Sequence, residues 1–494
     1  MKFQYDKISA KDKWKKCVFG NDNMTDEVII DKEIMDAFLS PKVVAVVGAS
    51  KKAGSPGNII TKQMKNAPVK LYVVNPKEDE IEGIRCYKSV IDIEEKIDMA
   101  VIATPAQFVP PLVDECVKKG VKAIIPIAGG FGEIGEKGKE AERAMLETIK
   151  GKRSRILGPN TLGIWVPKTG LNSVFVRMEA DPINPDGGIA LISQSGSVGV
   201  VALDFASLFG LGLRAFVSLG NEIDLKGYEF IRYFKDDAQT KAIAVYLETI
   251  SNGSKFLKAC REVVKEKPIV VLKAGRTSRG AKAASSHTGA LAGSDNVIDG
   301  AFKQYGIIRA FDDEELLDAA RILNCQKPLE GNRIAVITSA GGFGVMGTDY
   351  IESETKGVGM RLSDLTPESK AKLKSFLYQF ASVENPIDFT ASVTNEMYDK
   401  TFQVLNQDPN VDGILAVVFF HPAMLTDELV DIVVKWAREG SKPMAVCSIG
   451  GKHTIEILKK FDKMGVAAYP SIWRAARALK VLYLRGKYLK RLSK

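Results

Sequence analysis

The sequence predicts an α/β chain of three parallel-sheet blocks, the first of them Rossmann-like. Short apolar runs alternate with amphipathic stretches from about residue 41 almost to the end, the pattern of strand–helix–strand units. Several of these runs end in glycine-rich turns that open a helix. Two such segments also resemble each other: Gly188-Ile-Ala-Leu-Ile-Ser-Gln-Ser-Gly-Ser-Val-Gly199 parallels Arg333-Ile-Ala-Val-Ile-Thr-Ser-Ala-Gly-Gly-Phe-Gly344. The 494 residues suit about three domains.

Residues 1–40 read as a polar N-terminal extension of unassigned role, with a short helix near Asp31 to Phe38. The first block, 41–166, places strands at Val43–Val47, Leu71–Val74, Met99–Ala103, Ala123–Ile127 and Arg155–Leu157. A turn-rich linker follows near Pro167–Asp186. The second block, 180–323, carries strands at Gly188–Ser193, Leu213–Val217, Ala242–Leu247 and Ile269–Lys273. After a linker near Asn324–Asn332, the third block, 330–494, carries Arg333–Thr338, Gly413–Phe420 and Met444–Ser448.

Hydrophobic residues are 45% and charged residues 26%, which excludes a disordered chain. The longest apolar run, near Ile414–Phe420, falls far short of the ~18 residues a membrane span needs. The start, Met1 to Asp6, has no apolar core, so no secretory leader is expected. The six cysteines form no CxxC pair, which argues against zinc or thioredoxin chemistry and fits a reducing cytoplasm. The net charge of +9 is spread along the chain, and only Arg474–Lys494 is strongly basic. That tail reads as a solvated helix, and no nucleic-acid or membrane partner is expected. The mild positive balance suits a polyanionic small molecule.

Three glycine-rich junctions are candidates for phosphate binding, because bare N–H groups at a helix start meet anions. The first is Val46-Val-Gly-Ala-Ser-Lys-Lys-Ala-Gly-Ser-Pro-Gly-Asn58. It lacks the GxGxxG spacing, and the next strand ends in Asn75-Pro76-Lys77, where an NAD site would place an acid. A lysine there favours a phosphorylated ligand and argues against a nicotinamide oxidoreductase. The second junction is Ser193-Gln194-Ser195-Gly196-Ser197, with Val198 and Gly199 continuing the helix. Ser195 lacks the preceding glycine of a hydrolase elbow, so a serine nucleophile is not indicated. The third junction, Gly341-Gly342-Phe343-Gly344, has the same character. A plain helix cap is the alternative for either.

Of the three histidines, His287 stands apart, in Ala284-Ser-Ser-His-Thr-Gly-Ala-Leu-Ala-Gly293 after the flexible-looking Gly275–Gly280 segment. Nothing bulky there would bury an imidazole, which is a competent nucleophile toward phosphorus. Such a histidine needs a carboxylate on its other nitrogen. Glu248, at the end of the strand Ala242–Leu247, is the first candidate, with Glu222 and Asp224 as rivals. His421 and His453 read as ordinary loop and helix-start residues.

Taken in order, Val47-Gly-Ala-Ser50, Gly129-Gly-Phe-Gly-Glu133, Gly158-Pro-Asn160, Ser193-Gln-Ser-Gly196, Ser286-His-Thr-Gly-Ala290 and Asn385-Pro-Ile-Asp388 resemble the α subunits of ADP-forming acetyl-CoA synthetases. These belong to the NDP-forming acyl-CoA synthetase superfamily, with succinyl-CoA synthetase. The resemblance runs from Pro41 to the basic tail and leaves residues 1–40 unmatched. It implies a Rossmann-like CoA-binding domain followed by two flavodoxin-like domains. It implies that His287 is phosphorylated in turnover, that Glu248 orients it, and that the turns at Ser193–Ser197 and Gly341–Gly344 cradle the phosphoryl group. Each helix start would stabilise that charge by about 0.3–1 kcal/mol, up to ~2 if partly buried. It implies coenzyme contacts from Gly48, Ala49, Ser50, Gly54, Gly57, Asn58, Asn75, Pro76, Lys77, Thr104, Pro105, Ile127, Ala128 and Gly129.

The implied reaction converts acyl-CoA, phosphate and ADP reversibly to acid, ATP and CoA, with acetate as the default acid. The three blocks leave no segment for a nucleotide-grasp fold. A β subunit is therefore expected to bring ADP or ATP and Mg²⁺, in an α2β2 assembly, and no metal site is expected on this chain. The alternative is a non-catalytic CoA-sensing subunit, which the intact His287, Glu248 and both turns disfavour. An acetyltransferase-fused relative would carry a further domain C-terminal to Lys494 and is set aside.

Overall fold

The computed structural model describes residues 30–176, 184–208, 210–288 and 295–493, the side chains of 285–288 excepted. The chain divides into two compact units. One comprises Met1–Arg177, Ala190–Val200 and Arg214–Ile307, and the other Met178–Ile189, Val201–Leu213 and Ile308–Lys494.

The described part of the first unit opens with the helix Lys32–Leu39. Asp31 caps it, its carboxylate accepting the N–H groups of Glu33 and Ile34 at 3.0 and 3.3 Å. Met35, Phe38 and Leu39 are buried, and Phe38 meets Phe230 edge-on with ring centroids 6.5 Å apart. Tyr233 donates its hydroxyl to Asp36 at 2.8 Å. This helix, expected within a separate extension, is therefore a packed part of the unit. Residues 1–29 of the extension lie outside the described residues.

The first sheet contains β1 (Val43–Val47), β2 (Lys70–Val74), β3 (Glu80–Ile81), β4 (Ile84–Tyr87), β5 (Met99–Ile102), β6 (Ala123–Pro126) and β7 (Arg155–Ile156), ordered β3-β4-β2-β1-β5-β6-β7. All pairs are parallel except β3 with β4. β5 is buried throughout and β1 almost so, as expected of strands covered by helices on both faces. The strand order reverses between β1 and β5, which creates a crevice at their C-terminal ends. The β3–β4 hairpin was not expected from sequence. Its strands are too short to show a period, and Glu82 and Gly83 supply the positive φ angles, 52° and 77°, that its tight turn needs.

The second sheet includes the run β13-β12-β10-β11-β8-β9, with β8 Ile164–Val166, β9 Leu171–Asn172, β10 Asn184–Ser193, β11 Gly212–Ser218, β12 Ala242–Leu247 and β13 Ile269–Lys273. β8 pairs antiparallel with β11, and β9 with β8. The expected linker after Val166 thus contributes an edge strand. The helix Ser278–Thr288 follows β13 and includes His287. Its small polar residues carry no apolar stripe, so the sequence read as flexible there.

The second unit contains β14 (Ile308–Ala310), β15 (Arg333–Thr338), β16 (Arg361–Leu362), β17 (Ile387–Asp388), β18 (Gly413–Val417), β19 (Met444–Cys447) and β20 (Ala468–Tyr469). Its sheet is β16-β15-β18-β19-β20, with β17 also on β15. Phe389, Tyr398, Phe402 and Phe461 fill the core on one side, and Phe389 meets Tyr398 edge-on at 4.6 Å.

The basic tail is not a solvated helix. It forms the helix Ile472–Leu492, whose Ile472, Ala475, Ala476, Leu479 and Leu482 are buried. Arg474 is clamped by Asp318 at 2.7 and 2.8 Å. Beside it, Arg321 donates to both Asp462 oxygens at 2.7 Å. Arg321 and Asp462 side chains are 2% and 4% exposed. Removing one partner of such a pair strands a buried charge, so Asp462→Ala should cost about 3–5 kcal/mol. Calorimetry should then show this unit melting roughly 10 °C lower. No described helix is long and apolar enough to cross a membrane.

Candidate active site

A cavity of about 290 Å³ lies in the first unit at the C-terminal ends of β10, β11 and β12, walled by Asn160, Leu162, Ser195, Ser197, Asn221, Glu222 and Glu248 among others. The helix Gly196–Leu208 begins at its wall. Ser195 caps this helix: its carbonyl accepts the Gly199 N–H at 3.1 Å and its hydroxyl the Val198 N–H at 3.4 Å. The Ser195 and Ser197 hydroxyls stand 3.1 Å apart. Gly196 and Ser197 hold first-turn N–H groups, which have no acceptor within a helix. Hydroxyls and a positive helix end therefore face one cavity, which suits an anion. Ser193 is turned inward, donating to the Ser195 carbonyl at 2.7 Å.

Gln194 departs from the expectation that it binds phosphate. Its Oε1 accepts the N–H groups of Glu248 and Thr249 at 2.6 and 3.0 Å. Its Nε2 donates to the Thr249 carbonyl at 3.0 Å and to Glu222. An amide offers two donors and two acceptor positions, so the side chain is saturated. Its backbone N–H is also used, donating to the Tyr246 carbonyl at 3.1 Å.

Glu248 directly follows β12 and is 8% exposed on the cavity wall. The Tyr246 hydroxyl lies 3.5 Å from its Oε1, and burial, with this carboxylate beside it, pushes the Tyr246 pKa up to about 12. The rivals have other engagements. Asp224 takes the Arg155 guanidinium at 2.9 Å to both oxygens and the Ile156 N–H at 2.8 Å. Glu222, also 8% exposed, accepts the Gly227 N–H at 2.7 Å and Gln194. Burial raises its pKa above the usual carboxylate range. The His287 side chain, and with it any pairing with Glu248, lies outside the described residues.

The Gly129–Glu133 loop is tied to the same wall. Asn221 donates to Glu133 and Glu142 at 2.7 and 2.8 Å. Burial works to raise the Glu133 pKa, but the Asn221 amide and the Gly130 N–H hold it below its ordinary range. Ile127 reaches the cavity, the Ala128 carbonyl accepts the Asn160 N–H at 2.9 Å, and Gly129 lies beside the Asn160 amide.

The other first-block candidates gather at the C-terminal edge of β1, β2 and β5. Gly48, at φ +89°, has no room for a side chain: a Cβ would stand 2.6 Å from Thr104 and 2.8 Å from the Ala103 carbonyl. A Cβ on Gly57 would lie 2.1 Å from the Gly48 carbonyl, so this helix start packs directly on the turn. Asn75 donates to the Ala49 carbonyl at 2.8 Å and accepts the Lys77 N–H at 2.9 Å across Pro76. Asn58 donates to the Ser50 carbonyl at 2.9 Å. The two asparagines thus shape the turn. Gly54, at φ +77°, faces open space. Thr104, just before Pro105, holds a buried hydroxyl oxygen with no hydrogen-bond partner among the described residues. A close-packed glycine cradle and a waiting hydroxyl at the strand-order reversal fit the phosphate-bearing end of a coenzyme.

The third junction belongs to the second unit. The helix Gly341–Glu352 starts there, a Cβ on Gly341 would lie 2.8 Å from Asp388 Oδ2, and Gly342 is open. Phe343 meets Phe419 edge-on at 5.5 Å, and Gly344 is buried. His421 stacks on Phe419 at 4.2 Å, and His453 Nε2 is 3.4 Å from Asp427. Sequence reasoning did not single out the wall residues Leu162, Phe175, Thr249 and Ser251. Asn221 sits in the stretch that supplied Glu222 and Asp224, but Leu162 and Phe175 flank two-residue and three-residue strands with no readable pattern.

Comparison with known proteins gives three family matches in chain order: a CoA binding domain over residues 42–167, a succinyl-CoA ligase like flavodoxin domain over 186–323, and a ligase-CoA domain over 334–490. The chain is 40% identical over 463 residues to the acetate–CoA ligase [ADP-forming] I subunit alpha of Pyrococcus furiosus, covering 92% of this chain and 98% of that one. It is 43% identical to the acetate–CoA ligase [ADP-forming] of Methanocaldococcus jannaschii over 72% of this chain but only 49% of that protein. It matches the structure of the Ca. Korarchaeum cryptofilum dinucleotide forming acetyl-coenzyme A synthetase 1, in complex with phosphate and ADP, with a TM-score of 0.85 and 34% identity over 93% of this chain and 99% of the other. With an α subunit matched nearly end to end and all three domain families in order, the chain belongs to the α-subunit family of ADP-forming acetate–CoA ligases, acid–thiol ligases of the acyl-CoA synthetase superfamily.

Proposed function

We propose that this chain catalyses the acyl-transfer and phosphohistidine steps of a reversible ADP-forming acyl-CoA synthetase, with acetate as the default acid. The observation that carries the reading is the one cavity that the Ser195-capped helix start and Glu248 both line. Phosphate held there by the Gly196 and Ser197 N–H groups and the Ser195 and Ser197 hydroxyls attacks the thioester carbonyl. The carbon–sulfur bond breaks, CoA leaves as the thiol, and an acyl phosphate remains. A His287 nitrogen then attacks phosphorus and the carboxylate departs, leaving phosphohistidine for transfer to ADP. Glu248 fixes the imidazole by accepting its other N–H.

The first-block cradle is assigned to CoA through Gly48, Ala49, Ser50, Gly54, Gly57, Thr104 and Pro105, with Asn58, Asn75, Pro76 and Lys77 shaping its mouth. Ile127, Ala128 and Gly129 line its approach to the cavity. Gly341–Gly344 is assigned as a second phosphate-binding helix start. The sequence divisions 41–166, 180–323 and 330–494 are kept as the functional domains. The nucleotide and Mg²⁺ are assigned to a β subunit with a nucleotide-grasp domain, in an α2β2 assembly in the cytoplasm. That the Methanocaldococcus jannaschii ligase extends well beyond the region matched to this chain supports a further part of the activity carried on a separate subunit here. The relatives' ligase names favour this reading over CoA sensing.

The test is ATP formation from acetyl-CoA, phosphate and ADP. The chain joined with its β partner should form ATP, and neither should alone. CoA binding without turnover by the complex would favour the sensing reading. Gly48→Val forces a side chain into the Thr104 contact, so calorimetry should find CoA affinity reduced at least about tenfold.

A further inference from the structure

Gln194 and Glu222 form a chain of hydrogen bonds behind Glu248 that the reaction steps do not use. Gln194 receives the N–H groups of both Glu248 and Thr249 and returns a bond to the Thr249 carbonyl. Its remaining N–H goes to one Glu222 oxygen, while the other Glu222 oxygen takes the Gly227 N–H. The Lys226 ammonium also binds the Glu222 backbone carbonyl. Reversing the Gln194 amide would aim its NH2 at two N–H groups and its oxygen at two oxygens, so only one orientation is satisfied. Glu222 reinforces that orientation, because its carboxylate offers the Gln194 NH2 an acceptor beside the Thr249 carbonyl. Gln194, Glu222, Glu248 and Thr249 are buried, where an unmatched polar contact is costly.

We propose that Gln194 and Glu222 are positioning residues that set the backbone of Glu248, and through it the carboxylate that orients His287. The inference rests on the assignment of Glu248 to His287. Glu222→Gln is the diagnostic change. The new amide can keep its bond to the Gly227 N–H only by turning its NH2 toward Gln194. Gln194 must then flip, which breaks its bonds to Glu248 and Thr249, or give up the Glu222 bond, which removes the support behind the amide that holds Glu248. Gln194→Met removes all four bonds at similar length and provides a second probe should Glu222→Gln fail to fold.

The readout is labelling of the full chain from acetyl-CoA and radioactive phosphate, in complex with its β subunit but without nucleotide. His287→Ala is the control, and thermal melts check folding. Both variants should label about 100-fold more slowly at saturation, the size expected of a small misplacement. KM for acetyl-CoA and phosphate should stay within about threefold, since no substrate contact is removed. Adding Glu248→Gln to either variant should cause no loss beyond that of Glu248→Gln alone, because one pathway is broken twice. Wild-type labelling rates in both variants, a loss carried in KM, or losses that multiply with Glu248→Gln would overturn the proposal. No label on the wild type would instead overturn the His287 relay itself, and the proposal with it.

Discussion

His287→Ala is expected to abolish net ATP formation by the assembled enzyme, a loss on the order of 10⁴-fold or more, because the phosphoryl group has no other carrier. The variant should still bind CoA with wild-type affinity. The proposed CoA cradle at Gly48, Gly57 and Thr104 is built on the first sheet, whereas His287 stands on the helix after β13. Acyl phosphate formation needs only phosphate, thioester and the Ser195-capped helix start. The variant should therefore accumulate acetyl phosphate from acetyl-CoA and phosphate, detectable as an acyl hydroxamate after trapping with hydroxylamine. Retained ATP formation would place the relay elsewhere.

Glu248→Gln should reduce turnover by roughly 10²–10⁴-fold, the range seen when a histidine loses the carboxylate that orients it. The fold should survive. Gln194 holds Glu248 through its backbone N–H, and an amide side chain leaves that bond intact. The loss should fall on kcat, with KM for phosphate changing little, because the proposed anion site is the helix start and not Glu248. Steady-state kinetics with each substrate varied in turn would check this, and a loss confined to KM would make Glu248 a binding residue.

Much of this was legible because the informative signals are local. β1, β12, β13 and β15 match their expected ranges residue for residue, each being an apolar run closed by a small or polar turn. The site candidates were legible for a related reason. A parallel strand that ends in small residues before a helix must present that helix's N–H groups at the sheet edge, so Ser193–Ser197 and Gly48–Ser50 could be placed without coordinates. What was missed depends on pairing or partners distant in sequence. The β3–β4 and β8–β9 hairpins have strands too short for a period. The tail Arg474–Lys494 read as solvated because its arginines count as surface charge until Asp318 and Glu315 are known to lie beside them. Gln194 looked like a phosphate ligand because nothing in the sequence says that Thr249 and Glu222 exhaust its amide. The same blindness left Glu222 a rival of Glu248 rather than its support.

The most direct measurement of the central claim is the position of the phosphoryl group during turnover. The assembled enzyme is mixed with acetyl-CoA and phosphate, quenched in base, and the chain is mapped by mass spectrometry. The account predicts a phosphoryl increment on the peptide bearing His287, stable in base, lost in acid, and discharged to ATP when ADP and Mg²⁺ are added before quenching. An unmodified His287 in an enzyme that still makes ATP from acetyl-CoA would contradict it.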